Sequence, residues 1–76
     1  MQVKVKLCGP LRKYQPAEEI FVCELQETVS VQSLLEKLAV PISSVSFVSI
    51  DGHKADFTLL LNGGELVVVY PRVSGG

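Results

Sequence analysis

The residues best suited to chemistry stand at the end of the 76-residue sequence, which closes with Gly75-Gly76. A terminal carboxylate is ionised at neutral pH, and glycines carry no side chain that would block a narrow channel. Because a carboxylate is a poor electrophile, it needs activation, for example by attack of its oxygen on the α-phosphate of ATP. A sulfur or amine nucleophile can then displace AMP from the acyl-adenylate. The sequence therefore predicts that Gly76 reacts as an acid substrate inside a partner protein.

The residues before Gly76 have the composition of a flexible arm. Arg72, Val73, Ser74 and Gly75 offer little apolar surface that could hold them against a core. The residues after Pro71 extend over roughly 17 Å at about 3.3–3.6 Å each. We therefore predict a tail over residues 72–76 whose residues 72–75 are inserted into a partner enzyme. A frayed end without a function would have the same composition.

Other chemically capable side chains do not form a recognisable site. Cys8 and Cys23 belong to no CxxC pair, and His53 is the only histidine, so no zinc site is predicted. The expected strand register sets Cys23 opposite Lys4 and Cys8 opposite Glu19, which disfavours a disulfide. We expect two free thiols and assign no role to either cysteine.

Composition excludes several classes of function. Hydrophobic residues make up 47% of the chain, which favours a packed core over disorder. Seven basic and eight acidic residues are dispersed, so no basic face for nucleic acid is expected. Apolar runs are far shorter than the ~18 residues that a membrane helix needs, and no secretory signal is evident. We expect a cytoplasmic protein without nucleic-acid or membrane partners.

Periodicity predicts a small α+β domain. A helix should begin after the N-cap Ser30 and end near Ala39 or Val40, ahead of Pro41. Its apolar stripe has helical spacing and comprises Val31, Leu34, Leu35 and Leu38. Strands are predicted at residues 2–8, 19–25, 45–50, 58–61 and 66–70, with turns at 51–52 and 62–64.

The resulting order, β-β-α-β-(β)-β, is that of the β-grasp or ubiquitin-like fold, with a mixed sheet of four to five strands covered by one main helix. We assign residues 1–71 to this domain and residues 72–76 to a flexible Gly-Gly tail. The strand at 66–70 is apolar on both faces, which suits a central strand or one that also meets another protein. We predict partner docking through Val67, Val69, Tyr70 and Pro71.

Four segments resemble the MoaD/ThiS family of ubiquitin-like sulfur carriers, most closely the small subunit of molybdopterin synthase. They are Leu7-Cys8-Gly9-Pro10-Leu11-Arg12, residues 30–38, Asn62-Gly63-Gly64-Glu65-Leu66-Val67 and Tyr70-Pro71-Arg72-Val73-Ser74-Gly75-Gly76. The chain departs from the family pattern at Cys8, Gly64 and Arg72, where an aromatic, an acidic residue and a second proline are usual.

The resemblance implies that an E1-like adenylyltransferase uses ATP to adenylate Gly76 and that a persulfide donor converts it to a thiocarboxylate. A sulfur-accepting enzyme, such as the large subunit of molybdopterin synthase, then takes the sulfur for molybdenum cofactor biosynthesis. The resemblance thus implies a carrier protein that is not itself an enzyme and binds no cofactor, with the catalytic side chains on its partners. Three alternatives remain: a carrier for thiamine or another sulfur pathway, a ubiquitin-like modifier conjugated to lysine through Gly76, and a plain interaction module.

Overall fold

The computed structural model describes residues 1–14 and 18–72. Their elements follow the chain as β1 (Gln2–Leu7), a 3-10 helix (Gly9–Tyr14), β2 (Phe21–Glu24), β3 (Val29–Ser30), α1 (Val31–Lys37), a second 3-10 helix (Ile42–Ser44), β4 (Val45–Ile50), β5 (His53–Ala55), β6 (Leu60–Leu61) and β7 (Leu66–Pro71).

A mixed five-stranded sheet in the order β2-β1-β7-β4-β5 forms the body of the protein. β1 and β7 run parallel, whereas the other neighbours in this sheet are antiparallel. β3 and β6 form a separate two-stranded antiparallel sheet. The predicted mixed sheet of four to five strands is thereby confirmed.

Helix α1 covers the inner face of the five-stranded sheet. Ser30 caps it as predicted, since its hydroxyl accepts a hydrogen bond from the N–H of Ser33 at 3.1 Å. Val31, Leu34 and Leu35 are fully buried on the helix side of the core. They belong to one core cluster with the inward-facing strand residues, which include Val3, Val5, Leu7, Val48, Val67 and Val69.

The helix ends at Lys37, slightly before the predicted end at Ala39 or Val40. Ala39 takes a left-handed backbone conformation (φ 61°), and the N–H of Val40 donates to the C=O of Leu35 at 2.9 Å. This is a Schellman ending, which satisfies carbonyls of the last turn. The stop is therefore set by the chain reversal at Ala39 and not by Pro41 directly.

The predicted pairing of β1 with β2 was wrong by one residue. Val3 lies opposite Cys23, and Lys4 lies opposite Val22. Cys23 is buried on the inner face together with Val3. A shift of the strand pairing by one residue would point its side chain toward solvent. Burial on one face therefore fixes the register.

Cys8 does not pair with Glu19, because β1 ends at Leu7 and β2 begins at Phe21. The N–H of Cys8 instead donates to the C=O of Val69 at 3.0 Å. The prediction of two free thiols is confirmed, with Cys23 buried and Cys8 half-buried.

The region between β4 and β7 differs from the prediction in its details. The turn at Asp51-Gly52 is present, but it leads into a strand, β5, that the sequence did not predict. The strand expected at residues 58–61 is reduced to Leu60–Leu61. Of the helices within the described ranges, none is long and apolar enough to cross a membrane.

Candidate functional site

The central strand β7 carries the chain toward its C-terminal residues. It is held on both sides, by β1 in parallel and by β4 in antiparallel pairing as far as Pro71 opposite Val45. One residue later, the N–H of Arg72 donates to the C=O of Ser44 at 2.9 Å. The chain therefore leaves the sheet at a fixed point beside Ser44.

Of the predicted tail, the structure describes only the first residue, Arg72. The backbone of Arg72 is hydrogen-bonded to the domain, although the residue is exposed to solvent. Val73, Ser74, Gly75 and Gly76 lie outside the described residues, and their insertion into a partner and the reaction of Gly76 stay predictions. Measured from Arg72, the remaining residues can extend over at most roughly 14 Å.

The predicted docking role was wrong for two of the four residues, Val67 and Val69. Val67 and Val69 are each 0% exposed, because they point to the inner face, where Val67 lies opposite Val5 of β1. Their side chains are core and cannot contact a partner. Tyr70 and Pro71 are half-buried and remain available, so their docking role stays a prediction.

The opposite side chains of β7 form an apolar strip on the outer face of the sheet, which is the face turned away from α1. This strip, called the outer strip below, consists of Leu66, Val68, Tyr70 and Phe47. Within it, the rings of Phe47 and Tyr70 stack with centroids 4.5 Å apart and planes inclined by 17°. It ends next to the point where the chain leaves the sheet.

Lysines border the outer strip. Lys4 lies beside Leu66 and Lys6 beside Val68 on the neighbouring strand β1. On the other side, the Lys54 ammonium sits 5.6 Å from the centroid of the Phe47 ring. The Lys6 ammonium is paired with the carboxylate of Glu19 at 3.3 Å. An apolar centre bordered by ammonium groups, of which that of Lys6 is partly neutralised, suits a partner surface that is apolar and acidic.

The sequence predicted docking on this strand and included Tyr70, but it did not identify which face of the strand is exposed. Side chains alternate between the two faces of a strand. Once Val67 and Val69 are known to be buried, Leu66, Val68 and Tyr70 must therefore lie on the opposite face. Phe47 comes from β4 and reaches the strip only through its pairing with Tyr70.

The remaining reactive side chains do not converge on the chain exit. His53 lies opposite Ile50, at the end of the sheet where β7 begins, whereas Arg72 follows the other end of β7. Within the described ranges, no three His, Cys, Asp or Glu side chains could hold a metal ion together. Among the described residues, the outer strip therefore is the feature that lies beside the chain exit.

Comparison with known proteins is consistent with this architecture. The family model described as Mut7-C ubiquitin matches residues 1–75. No curated protein matches the sequence.

Solved structures share the fold at low sequence identity. The crystal structure of SAMP1 from Haloferax volcanii has a TM-score of 0.74 and 18% identity, with both chains fully covered. A putative molybdopterin converting factor, subunit 1, from Pyrococcus furiosus has a TM-score of 0.74 and 21% identity over 95% of this chain and 98% of that one. In a complex of subunits 1 and 2 of molybdopterin-converting factor from Helicobacter pylori 26695, the matched chain has a TM-score of 0.64 and 23% identity, with both chains fully covered. The ubiquitin-like β-grasp fold is thereby confirmed.

Proposed function

Because this chain belongs to the Mut7-C ubiquitin family, we propose that it is a cytoplasmic sulfur carrier that presents the carboxylate of Gly76 to partner enzymes. An E1-like enzyme adenylates this carboxylate with ATP and releases pyrophosphate. The terminal sulfur of a persulfide donor attacks the acyl-adenylate and displaces AMP, which gives an acyl disulfide. A thiol then reduces the S–S bond, which leaves the thiocarboxylate on Gly76 and a disulfide on the donor side. The chain is a co-substrate in this cycle and supplies no catalytic side chain.

One observation carries the proposal. A central strand of the sheet delivers the chain to a fixed exit at Arg72, and the sequence after it ends in Gly75-Gly76. A rigid domain docked outside an active site can then supply an acid group across a wall of roughly 14 Å or less. Holding the domain in place turns the attack on ATP into a reaction between positioned groups, which lowers its entropic cost.

The pathway that we propose is molybdopterin biosynthesis. Two structural neighbours are named as subunit 1 of molybdopterin converting factor, and one of them is seen together with subunit 2. The tail of this chain also resembles the family's ending, apart from Arg72. The sulfur acceptor in this proposal is therefore the large subunit of molybdopterin synthase.

We assign partner docking to the outer strip and its lysines. Tyr70 and Phe47 form a rigid aromatic pair close to the chain exit, and aromatic residues dominate the binding energy of many interfaces. Lys4 and Lys6 would steer an acidic partner toward the strip. Both partners of the cycle must approach the same exit, so they would use this surface in turn.

Replacing Tyr70 with alanine is expected to weaken docking while the domain stays folded. Loss of the half-buried ring that stacks on Phe47 should lower the ATP–pyrophosphate exchange rate at subsaturating carrier by roughly tenfold or more. The measurement uses the E1-like enzyme of the native host, and raising the carrier concentration should restore the rate. Leu60→Ala removes an exposed apolar side chain outside the five-stranded sheet and should leave exchange unchanged. Equal rates for Tyr70→Ala and the wild type would exclude the outer strip.

The proposed chemistry is tested by the intact mass of the protein after expression in its native host. Replacement of one terminal oxygen by sulfur, localised to the C-terminal peptide, is the expected result. A variant lacking Gly76 serves as the control and should carry no such replacement. Conjugates joined to lysine through Gly76, without any thiocarboxylate, would contradict the carrier and establish a modifier. A mature chain that continues beyond Gly76 would contradict both.

A further inference from the structure

The edge strand β5 has backbone groups that the sheet does not use. The N–H of Asp51 donates to the C=O of Leu66 at 3.0 Å, so the backbone of Asp51 points toward β7. Backbone groups alternate in direction along an antiparallel strand, so those of Ile50 point the other way, toward His53 of β5. The next residue of β5, Lys54, therefore directs its N–H and C=O away from β4, to the open edge.

A groove runs along this edge on the inner side of the sheet. It encloses about 410 Å³ between β5 and the segment that follows it. Ile50, Ala55 and Leu59 supply its apolar lining, and Leu59 is 43% exposed. The rest of the lining is polar and comprises His53, Lys54, Asp56 and Thr58. The open backbone edge thus lies beside a groove that has three apolar residues in its lining.

We propose that the β5 edge binds an extended segment of a partner protein in which an acidic residue stands between two apolar residues. Such a segment adds a strand to the sheet by exchanging backbone hydrogen bonds with Lys54. The residue opposite Lys54 lies on the same outer face as the Lys54 ammonium, where a carboxylate pairs best. Its two neighbours turn to the inner side, where Ile50, Ala55 and Leu59 offer apolar contacts.

Lysine on an edge strand also protects proteins against unwanted pairing. Here the Lys54 ammonium is drawn toward the face of the sheet, over the Phe47 ring at 5.6 Å, and does not cover the edge. β5 is separated from β7 by β4, so this site uses neither Gly76 nor the chain exit. It shares Lys54 with the border of the outer strip, but peptide binding to the β5 edge is measured without the E1-like enzyme. The site goes beyond the carrier function, and its test does not depend on that function.

The test uses the full chain labelled with 15N and a capped peptide, Thr-Val-Asp-Val-Thr. Binding is expected to shift the amide resonance of Lys54 and to slow its hydrogen exchange, because that N–H becomes hydrogen-bonded. A peptide with lysine in place of the aspartate should bind at least roughly tenfold more weakly, since like charges oppose each other across the strands. Equal affinity for the two peptides would overturn the pairing with Lys54.

Two variants at one position separate the backbone contribution from the charge. Lys54→Val keeps the N–H and removes the ammonium, whereas Lys54→Pro removes both. The N–H of Lys54 has no role in pairing with β4, so proline is compatible with the sheet at this position. We expect the dissociation constant of the proline variant to exceed that of the valine variant by roughly tenfold.

Equal affinity of the two variants would overturn strand addition. If Lys54→Pro does not fold, Leu59→Asp provides the second variant. Unchanged peptide binding to this variant would show that the groove does not receive the apolar residues of the peptide. A wild-type dimer that Lys54→Val abolishes would also overturn the proposal, because the edge would then belong to a second copy of this chain.

Discussion

Removal of Gly76 is expected to abolish adenylation and thiocarboxylate formation while leaving the melting temperature unchanged. The deletion moves the terminal carboxylate back by about 3.5 Å along the chain. A misplacement of only about 1 Å between reacting groups can lower a rate by roughly 100-fold, so the shorter chain should not reach the α-phosphate productively. ATP–pyrophosphate exchange with the host's E1-like enzyme measures the first step, and intact mass measures the product.

The unchanged melting temperature follows from where the stability lies. The buried hydrophobic core of the described residues runs from Val3 to Val69, and Arg72 makes the last backbone hydrogen bond to the domain that the structure describes. Gly76→Ala separates chain length from bulk, since it keeps the carboxylate in place and adds a methyl group that a narrow channel would reject. A deletion variant that still supports pyrophosphate exchange at the wild-type rate would show that adenylation does not require Gly76. A large drop in melting temperature would mean that the tail belongs to the fold.

Replacement of Leu61 by alanine is expected to cost a large part of the total stability. Leu61 is 0% exposed, and truncation of a fully buried leucine costs about 2–5 kcal/mol. A domain of this size has a free energy of unfolding of roughly 4–11 kcal/mol, at about 0.05–0.15 kcal/mol per residue. Urea denaturation followed by circular dichroism measures the loss as a lower transition midpoint.

Leu60 gives a matched control for this loss. It is the neighbouring residue of β6, carries the same side chain and is 57% exposed. Leu60→Ala should change the free energy of unfolding by no more than about 0.5 kcal/mol. If both substitutions cost the same, the two-residue strand does not hold one side chain in the core and the other in solvent, and the packing described around β6 would be incorrect.

The sequence predicted the elements whose periodicity is unambiguous. Val3, Val5 and Leu7 alternate with polar residues, so the burial of β1 follows directly from the pattern. The helix likewise follows from Ser30 as a cap and from its apolar stripe. In both elements the local pattern and the final packing agree, and this agreement made them predictable.

The docking residues could not be predicted in the same way. β7 is apolar on both faces, so its sequence does not tell which parity enters the core. Pairing with β1 decides this, because Val67 lies opposite the buried Val5. Such pairing joins residues more than 60 positions apart in the chain, and no local pattern records it.

β5 was missed for a related reason. His53, Lys54 and Ala55 include no β-branched or aromatic residue, and their strand conformation depends on the hairpin with β4. The register of β2 was misjudged because the sequence of the preceding loop does not fix the pairing, whereas the burial of Cys23 does.

The reaction of Gly76 was inferred from the chemistry of a terminal carboxylate and from the family resemblance. It stays a prediction until the intact mass is measured.

The parallel pairing of the first and last strands also bears on how the protein is made. β7 is the middle strand of the sheet, and β1 has no other partner on that side. During synthesis, β1 and β2 emerge early but cannot complete the sheet until the ribosome has translated Leu66–Pro71. A transcript cut short before this strand would give a polypeptide without the middle strand of the sheet and without Val67 and Val69 of the core, which exposes it to proteases. The topology thus makes completion of the fold depend on translation having passed β7.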